Sequence, residues 1–267
     1  MSSNNTLKDA WASGASYEAY VGRWSRIVAR DFILWLALSE DSEWLDVGCG
    51  TGALSQIILG IARPKKVKGI DRSESFIAHA RGRVNDSRVE FETGDAQSLP
   101  VQEETFDTAV SGLVLNFVSE PQKMVSEMKR ALRSGGTIAL YVWDYADKMQ
   151  FMRHFWDAAV ALNPAASDLD EWPRFPVCNP EVLRGLFEGA GLSQIEVRPI
   201  DIETTFKDFD DYWSPFLGGP GPAPTYVMSL SEERRAELRE RIRSGLPFAP
   251  DGSIPLIARA WAVRGVK

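Results

Sequence analysis

The stretch Asp46-Val47-Gly48-Cys49-Gly50-Thr51-Gly52 decides how this chain folds. It leaves a short apolar segment, Trp44–Val47, passes through three alternate glycines and enters the apolar run that begins at Ala53. That is the pattern of a strand, a tight turn and a helix. Alternate glycines let backbone come close to a ligand at a helix N-terminus. No Gly-Lys-Ser/Thr follows, so the turn is not a phosphate-binding P-loop. Ala53 stands where the last glycine of G-x-G-x-x-G belongs, which weakens a dinucleotide reading. Asp46, two residues before the first glycine, would repel a pyrophosphate and favours an ammonium or sulfonium.

Outward from this turn, apolar runs alternate with helical patterns up to Asp144, as in βαβ units on a parallel sheet. Strands are predicted at Trp44–Val47, Val67–Asp71, Val89–Thr93, Phe106–Ser111 and Thr137–Trp143. After the fourth, Ser119-Glu120-Pro121 reads as an N-cap and first turn. Met124, Met128 and Leu132 then follow at helical spacing, and Gly135-Gly136 reads as the stop. Asp46, Asp71 and Asp95 lie 25 and 24 residues apart, each at or just after a strand end. Parallel strands bring their carboxyl ends to one edge, so the three acids should line one crevice at the topological switch point. Asp71 can accept from both hydroxyls of a ribose and Asp95 from an adenine amino group, which describes a nucleoside site without phosphates.

On these residues the chain resembles the class I S-adenosylmethionine-dependent methyltransferases, in the small-molecule branch similar to the ubiquinone and menaquinone methyltransferases. The motifs that carry the resemblance are Leu45–Gly52, Gly69-Ile70-Asp71, Gly94–Pro100, Phe106-Asp107 and Leu132–Gly136, over about residues 40–145. Tyr17, Tyr20, Arg23, Trp24 and Arg26 are also similar to the segment with which the family closes over the cofactor carboxylate. The resemblance implies a Rossmann-like, seven-stranded, mostly parallel α/β sheet with helices on both faces, an antiparallel last strand and a helical, aromatic lid. It implies S-adenosylmethionine as cofactor, S-adenosylhomocysteine as product and no metal. It assigns the methionine moiety to Asp46, Gly48 and Gly50, with Tyr20 and Arg26 over its carboxylate, ribose to Asp71 and adenine to Asp95. Thr51, Arg72, Ala96 and Leu113 are expected among the cofactor-binding residues as well. The chain departs from the pattern in two ways. The fourth motif, Ser111–Phe117, lacks the Asn/Asp-Pro-Pro-Tyr/Phe signature of nucleobase amino methylation, and no histidine stands near Asn116 as it does in many relatives.

The remaining composition bounds the function further. With 267 residues and 44% hydrophobic content, the chain can bury a large core without disulfide or metal staples. We expect a single domain: an N-terminal helical segment over 1–40, the cofactor core over 41–145, an acceptor-side lid over 146–253 and a final strand over 254–267. A net charge of −7 opposes a nucleic-acid or anionic-membrane partner and leaves a small-molecule acceptor. Oligomeric state is left open. Cys49 and Cys178 are too few for a disulfide scaffold, and neither a targeting pattern nor a membrane-length apolar run is visible, so a reducing cytoplasm is expected.

Beyond Asp144 the sequence turns aromatic and proline-rich. His154 is the candidate catalytic base, and Trp143, Phe155, Trp156, Trp172, Phe175, Trp213, Phe216 and Tyr226 divide between an acceptor pocket and core packing. His79 reads as an exposed helix residue, Asp107 as a cap or solvent group, and Glu232–Arg243 as a solvated helix face. Two other functions fit less of the pattern. One is a non-catalytic nucleoside-binding or regulatory protein; the other is an NAD-dependent oxidoreductase, since Asp71 follows Gly52 by 19 residues.

Overall fold

Parallel pairing joins the five segments predicted as strands. The computed structural model describes residues 23–218 and 221–267. Helix α1 (Arg23–Leu36) precedes β1 (Glu43–Val47), α2 (Ala53–Ile61), β2 (Lys66–Asp71), α3 (Glu74–Arg83), β3 (Val89–Thr93), β4 (Phe106–Gly112), α4 (Pro121–Ala131) and β5 (Leu132–Trp143). Helices α5 (Gln150–Leu162), α6 (Glu171–Arg174) and α7 (Pro180–Gly189) lead to β6 (Ser193–Phe206). Helices α8 (Phe209–Trp213), α9 (Pro222–Ser229) and α10 (Glu232–Gly245) precede β7 (Ile254–Val266). The seven strands lie in the order β3-β2-β1-β4-β5-β7-β6. β1 pairs in parallel with both β2 and β4, and β7 runs antiparallel to β5. The sheet is the mostly parallel α/β sheet expected, with its switch point between β1 and β4.

The described residues divide into two compact units, with boundaries that fall within β6 and β7. A sheet unit comprises 24–149, 175–202 and 258–267, and a helical unit comprises 150–174 and the described part of 203–257. In the sheet unit, alternation along each strand assigns side chains to faces. Leu45, Val47, Leu140 and Val142 share one core with Met124 and Met128 of α4 and Leu183 and Phe187 of α7. Trp44, Asp46 and Tyr141 therefore point to the opposite face, where Phe32 of α1 meets Tyr141 with ring centroids 4.7 Å apart. Both faces of the central strands are buried, which is why they read as continuous apolar runs.

Two local expectations are corrected. Helix α4 ends at Ala131, and Gly135-Gly136 lie inside β5, where a register shift between Phe106 and Thr108 takes up the extra residues. Ser119 is not the N-cap. That position is Glu120, without a side-chain cap, and the Ser119 hydroxyl donates instead to Gln97 Oε1 at 3.0 Å. Asp107 accepts from the Glu43 N–H at 2.8 Å and from Arg133 at 2.6 Å, so it ties β4 to β1 and β5. His79 is exposed as expected.

The helical unit is built on rings. Phe155 and Phe216 stack with centroids 4.5 Å apart, Phe151 stacks on Phe216 at 4.7 Å, and Tyr212 meets Phe151 edge-on at 5.3 Å while its hydroxyl donates to Phe151 O at 2.8 Å. Of the eight aromatics divided between pocket and core, only Trp172 is exposed, so packing takes more of them than the sequence suggests. Trp213 is among the packed ones, against Phe209 and Phe216. Among the described residues, no helix is long and apolar enough to cross a membrane.

Candidate functional site

The glycine turn is docked on β2: the N–H groups of Gly48 and Cys49 both donate to Ile70 O, at 2.7 and 3.0 Å. Gly48 has φ 74°, and a Cβ there would lie 2.5 Å from a methyl of Val114, so only glycine lets the segment after β4 close on the turn. Gly50 differs. Its φ is 53°, yet a Cβ would meet nothing within 4 Å, so the space over this residue is open. Its N–H donates to Asp71 Oδ2 at 2.9 Å.

The three acids stand in a graded row along the carboxyl edge: Asp46 is buried, Asp71 half-buried and Asp95 exposed. Asp46 is 0% exposed and accepts from the Ser55 hydroxyl of α2 at 2.6 Å through Oδ2, while Oδ1 has no partner. Burial is the main reason its carboxyl is pushed up to about 7. The Ser55 hydrogen bond opposes that shift and the charge of Asp71 adds to it. Asp71 spends one bond on each oxygen, to Gly50 and to the Ser73 N–H at 2.9 Å, which places Ser73 to cap α3. A carboxylate oxygen has two acceptor sites, so both oxygens keep one. Asp95 closes a bend by accepting from the Gln97 N–H at 2.9 Å. Gln97 in turn accepts from Ser119 Oγ and from the Glu120 N–H, both at 3.0 Å, which fixes the Asp95–Leu99 loop to the start of α4.

Thr51, Arg72, Ala96 and Leu113 lie on the same edge of the sheet unit: Thr51 in the glycine turn, Arg72 exposed after β2, Ala96 beside Asp95 and Leu113 just beyond β4. Leu113 is held at φ 61°, a strained value for a side chain, and its N–H donates to Tyr141 O at 2.8 Å. Arg26 is half-buried in the first turn of α1, also in the sheet unit. That helix is anchored by Phe32 on Tyr141 and by Trp35, whose ring carries Arg264 at 4.9 Å and Arg198 at 5.6 Å. Tyr20 lies outside the described residues. His154 belongs to the helical unit, half-buried on α5, where burial lowers its pKa and the charge of Asp157 partly restores it.

The sequence reading missed Ser55, Gln97, Val114 and Asn116. Ser55 and Gln97 act through partners set by the fold, and only the helix start at Ala53 and the Gly94–Pro100 motif hinted at them. The Asn116 amide nitrogen is buried without a hydrogen-bond partner, and no local pattern records that.

Residues 45–140 match a family described as a methyltransferase domain. The chain is 36% identical over 100 residues to phosphatidylethanolamine N-methyltransferase of Cereibacter sphaeroides, covering 36% of this chain and 48% of that protein. It is 29% identical over 176 residues to demethylmenaquinone methyltransferase of Bacillus subtilis, covering 60% and 74%. The solved structure of Haemonchus contortus phosphoethanolamine N-methyltransferase 2 with S-adenosyl-L-methionine superposes with a TM-score of 0.58 at 18% identity, over 95% of this chain and 56% of that one. The chain spans only 28%, 58% and 21% of the length of three other curated relatives that it matches. The strand order, the glycine turn with its acids and the family match converge on one stretch: residues 45–140 are where this chain is similar to a methyltransferase domain.

Proposed function

We propose that the chain transfers a methyl group from S-adenosylmethionine to a small-molecule acceptor. The observation that carries this reading is the row of acids from buried to exposed beside an open glycine turn, ending inward at a carboxylate oxygen without a partner. The residues present fit the cofactor. Asp46 Oδ1 would take its ammonium, the remaining acceptor sites of Asp71 its ribose hydroxyls and Asp95 its adenine amino group. Gly48, Gly50 and Thr51 would carry the methionine chain, with Arg72, Ala96 and Leu113 flanking the nucleoside and Tyr20 and Arg26 over the carboxylate. When bound, S-adenosylmethionine supplies a methyl carbon that an acceptor lone pair takes as the carbon–sulfur bonding pair passes to sulfur. The work left to the chain is to align the acceptor and exclude water, and alignment can supply up to ~7–11 kcal/mol in favourable cases. His154, whose pKa burial lowers, is the group we assign to removing a proton where the acceptor carries one. The names of the relatives span a phospholipid headgroup amine and a quinone ring, so the acceptor class is proposed no more narrowly here than a small molecule. Both cysteines are unpaired, which suits the reducing compartment we propose.

Calorimetry with S-adenosylhomocysteine and with NADH tests the cofactor, and a panel of acceptors with labelled methyl donor tests transfer. We expect the first ligand to bind and NADH not to, and Asp71→Ala to lose ~2–3 kcal/mol of affinity, with Asp71→Asn losing less. Binding of NADH alone would move the reading to an oxidoreductase. Donor binding with no transfer to any acceptor would leave a nucleoside-binding protein.

A further inference from the structure

Among the described residues, three buried side-chain atoms lack a hydrogen-bond partner: Asp46 Oδ1, Asn116 Nδ2 and Thr204 Oγ1. Asp46 is already part of the cofactor site, and Thr204 lies on β6 in the helical unit, remote in sequence from the crevice motifs. Asn116 is different. A buried amide N–H left unbonded is destabilising, and a native fold keeps one only where something completes it.

Asn116 sits in a short 3₁₀ turn, Leu115–Phe117, just beyond β4. Both flanks of the turn are fixed. On one side Leu113 is strained at φ 61° and Val114 closes on Gly48; on the other the Phe117 ring meets Phe175 edge-on at 5.4 Å, and Phe175 meets Tyr145 at 5.7 Å. Leu115 is buried in the sheet core. The turn therefore stands at the carboxyl end of β4, and the glycine turn stands at the carboxyl end of β1, the neighbouring strand. These are the two rims of the switch-point crevice.

On the reading of this crevice as the methyl-donor site, we propose that Asn116 selects and orients the methyl acceptor by donating its amide N–H to an oxygen the acceptor carries: a carbonyl, carboxylate or phenolate oxygen. An amide donates a hydrogen bond and does not titrate, so Asn116 positions the acceptor and takes no proton from it. An acceptor without such an oxygen would leave the N–H unbonded in the closed site, which is how a polar group discriminates strongly.

The test compares wild type, Asn116→Leu and Asn116→Asp. Each is assayed for S-adenosylhomocysteine binding by calorimetry, for melting temperature, and for labelled methyl transfer to 3,4-dihydroxybenzoate, malonate, phenylethylamine and phenylmethanethiol. Wild type should favour the two oxygen-bearing probes by at least tenfold in kcat/KM over the amine and the thiol. Asn116→Leu should raise KM for the better probe at least tenfold, with S-adenosylhomocysteine affinity within twofold and no fall in melting temperature. Asn116→Asp keeps the shape, loses the N–H and adds charge, so it should lose at least as much on malonate. The proposal is overturned if the oxygen-bearing probes give no more product than the others, product from none included, or if Asn116→Leu leaves KM unchanged. A tenfold loss of S-adenosylhomocysteine affinity in Asn116→Leu would also overturn it, since the amide would then hold the donor. A melting temperature lowered by several degrees would make the amide structural. Failure of wild type to bind S-adenosylhomocysteine sinks the donor-site reading and this one with it, and is distinct from the outcomes above.

Discussion

Each unit buries an acid that holds its proton far above the usual carboxylate range, and the two acids are finished differently. Asp46 in the sheet unit is pushed up to about 7 and Glu171 in the helical unit to about 8, in both cases chiefly by burial. Glu171 receives the indole N–H of Trp156, whose ring lies 6.0 Å from that of Tyr226, so the fold itself supplies its partner. Asp46 receives one hydroxyl from Ser55 and keeps Oδ1 bare. One buried carboxyl is completed by the fold and the other keeps an oxygen without a partner, which supports the role proposed for Asp46 toward the ammonium end of the donor.

The largest effect should come from the ring core of the helical unit. Phe216→Ala removes a ring that stacks on both Phe151 and Phe155, and should cost ~3–5 kcal/mol in chemical denaturation. S-adenosylhomocysteine affinity per folded molecule should stay within twofold. A loss under 1 kcal/mol would mean that the rings are not the core of this unit, and a loss of affinity would mean that the cofactor site is not confined to the sheet unit.

The two acids sharpen the comparison through pH. Asp46 ordinarily titrates at 3.8 and Glu171 at 4.5, so the folded chain holds protons that the unfolded chain releases. The stabilisation this gives is fully present below pH ~4 and fades as pH rises, gone past about 7 for Asp46 and past about 8 for Glu171. Asp46→Asn and Glu171→Gln should each flatten the stability–pH curve over the matching window, by a few kcal/mol in order of magnitude. Ligand should separate them. Pairing Asp46 with an ammonium lowers its pKa, so S-adenosylhomocysteine binding at pH 6 should release close to one proton, read from calorimetry in buffers of different ionisation enthalpy. Asp46→Asn should abolish that release and Glu171→Gln should not. Equal release from both variants would remove Asp46 from the site.

Strand positions and the three acids were legible because each central strand is apolar on both faces and the acids or turn residues collect where the strands end. Asp46, Asp71 and Asp95 each announce an edge position within a few residues of local sequence. The ring core was not legible in this way. Phe151, Phe206 and Phe216 lie on separate elements, and whether an aromatic packs or lines a pocket depends on contacts no local pattern encodes. Gln97 and Asn116 show the same limit for polar groups. Their motifs are visible, but the bond that Gln97 makes and the bond that Asn116 lacks are set by chain far away.

Within the sheet unit, Gly48 and Gly50 separate scaffold from site. Gly48→Ala places a methyl against Val114 in a left-handed conformation and should destabilise by ~1–3 kcal/mol, part of which Val114→Ala restores. Gly50→Ala meets open space, so only the conformational strain of ~1–2 kcal/mol remains, while S-adenosylhomocysteine affinity should fall by more than tenfold. Unchanged affinity in Gly50→Ala would show that the open space over this residue is not where the ligand lies.

The smallest effect should fall on the charged face of α10. Arg234 and Glu237 form an ion pair at 2.8 Å whose side chains are 64% and 46% exposed, and water screens such a pair strongly. The helix is held instead by Leu238 and Ile242, both buried, and by Arg235, which donates to Val227 O at 3.2 Å. Arg234→Ala should therefore shift stability by no more than ~0.5 kcal/mol, and the difference should vanish in 1 M salt, where charges are screened beyond ~3 Å. A loss several times larger, or one that salt leaves intact, would mean that Arg234 has a buried partner. The helical unit would then owe its stability partly to charge and not to its rings, and the contrast with the sheet unit would weaken accordingly.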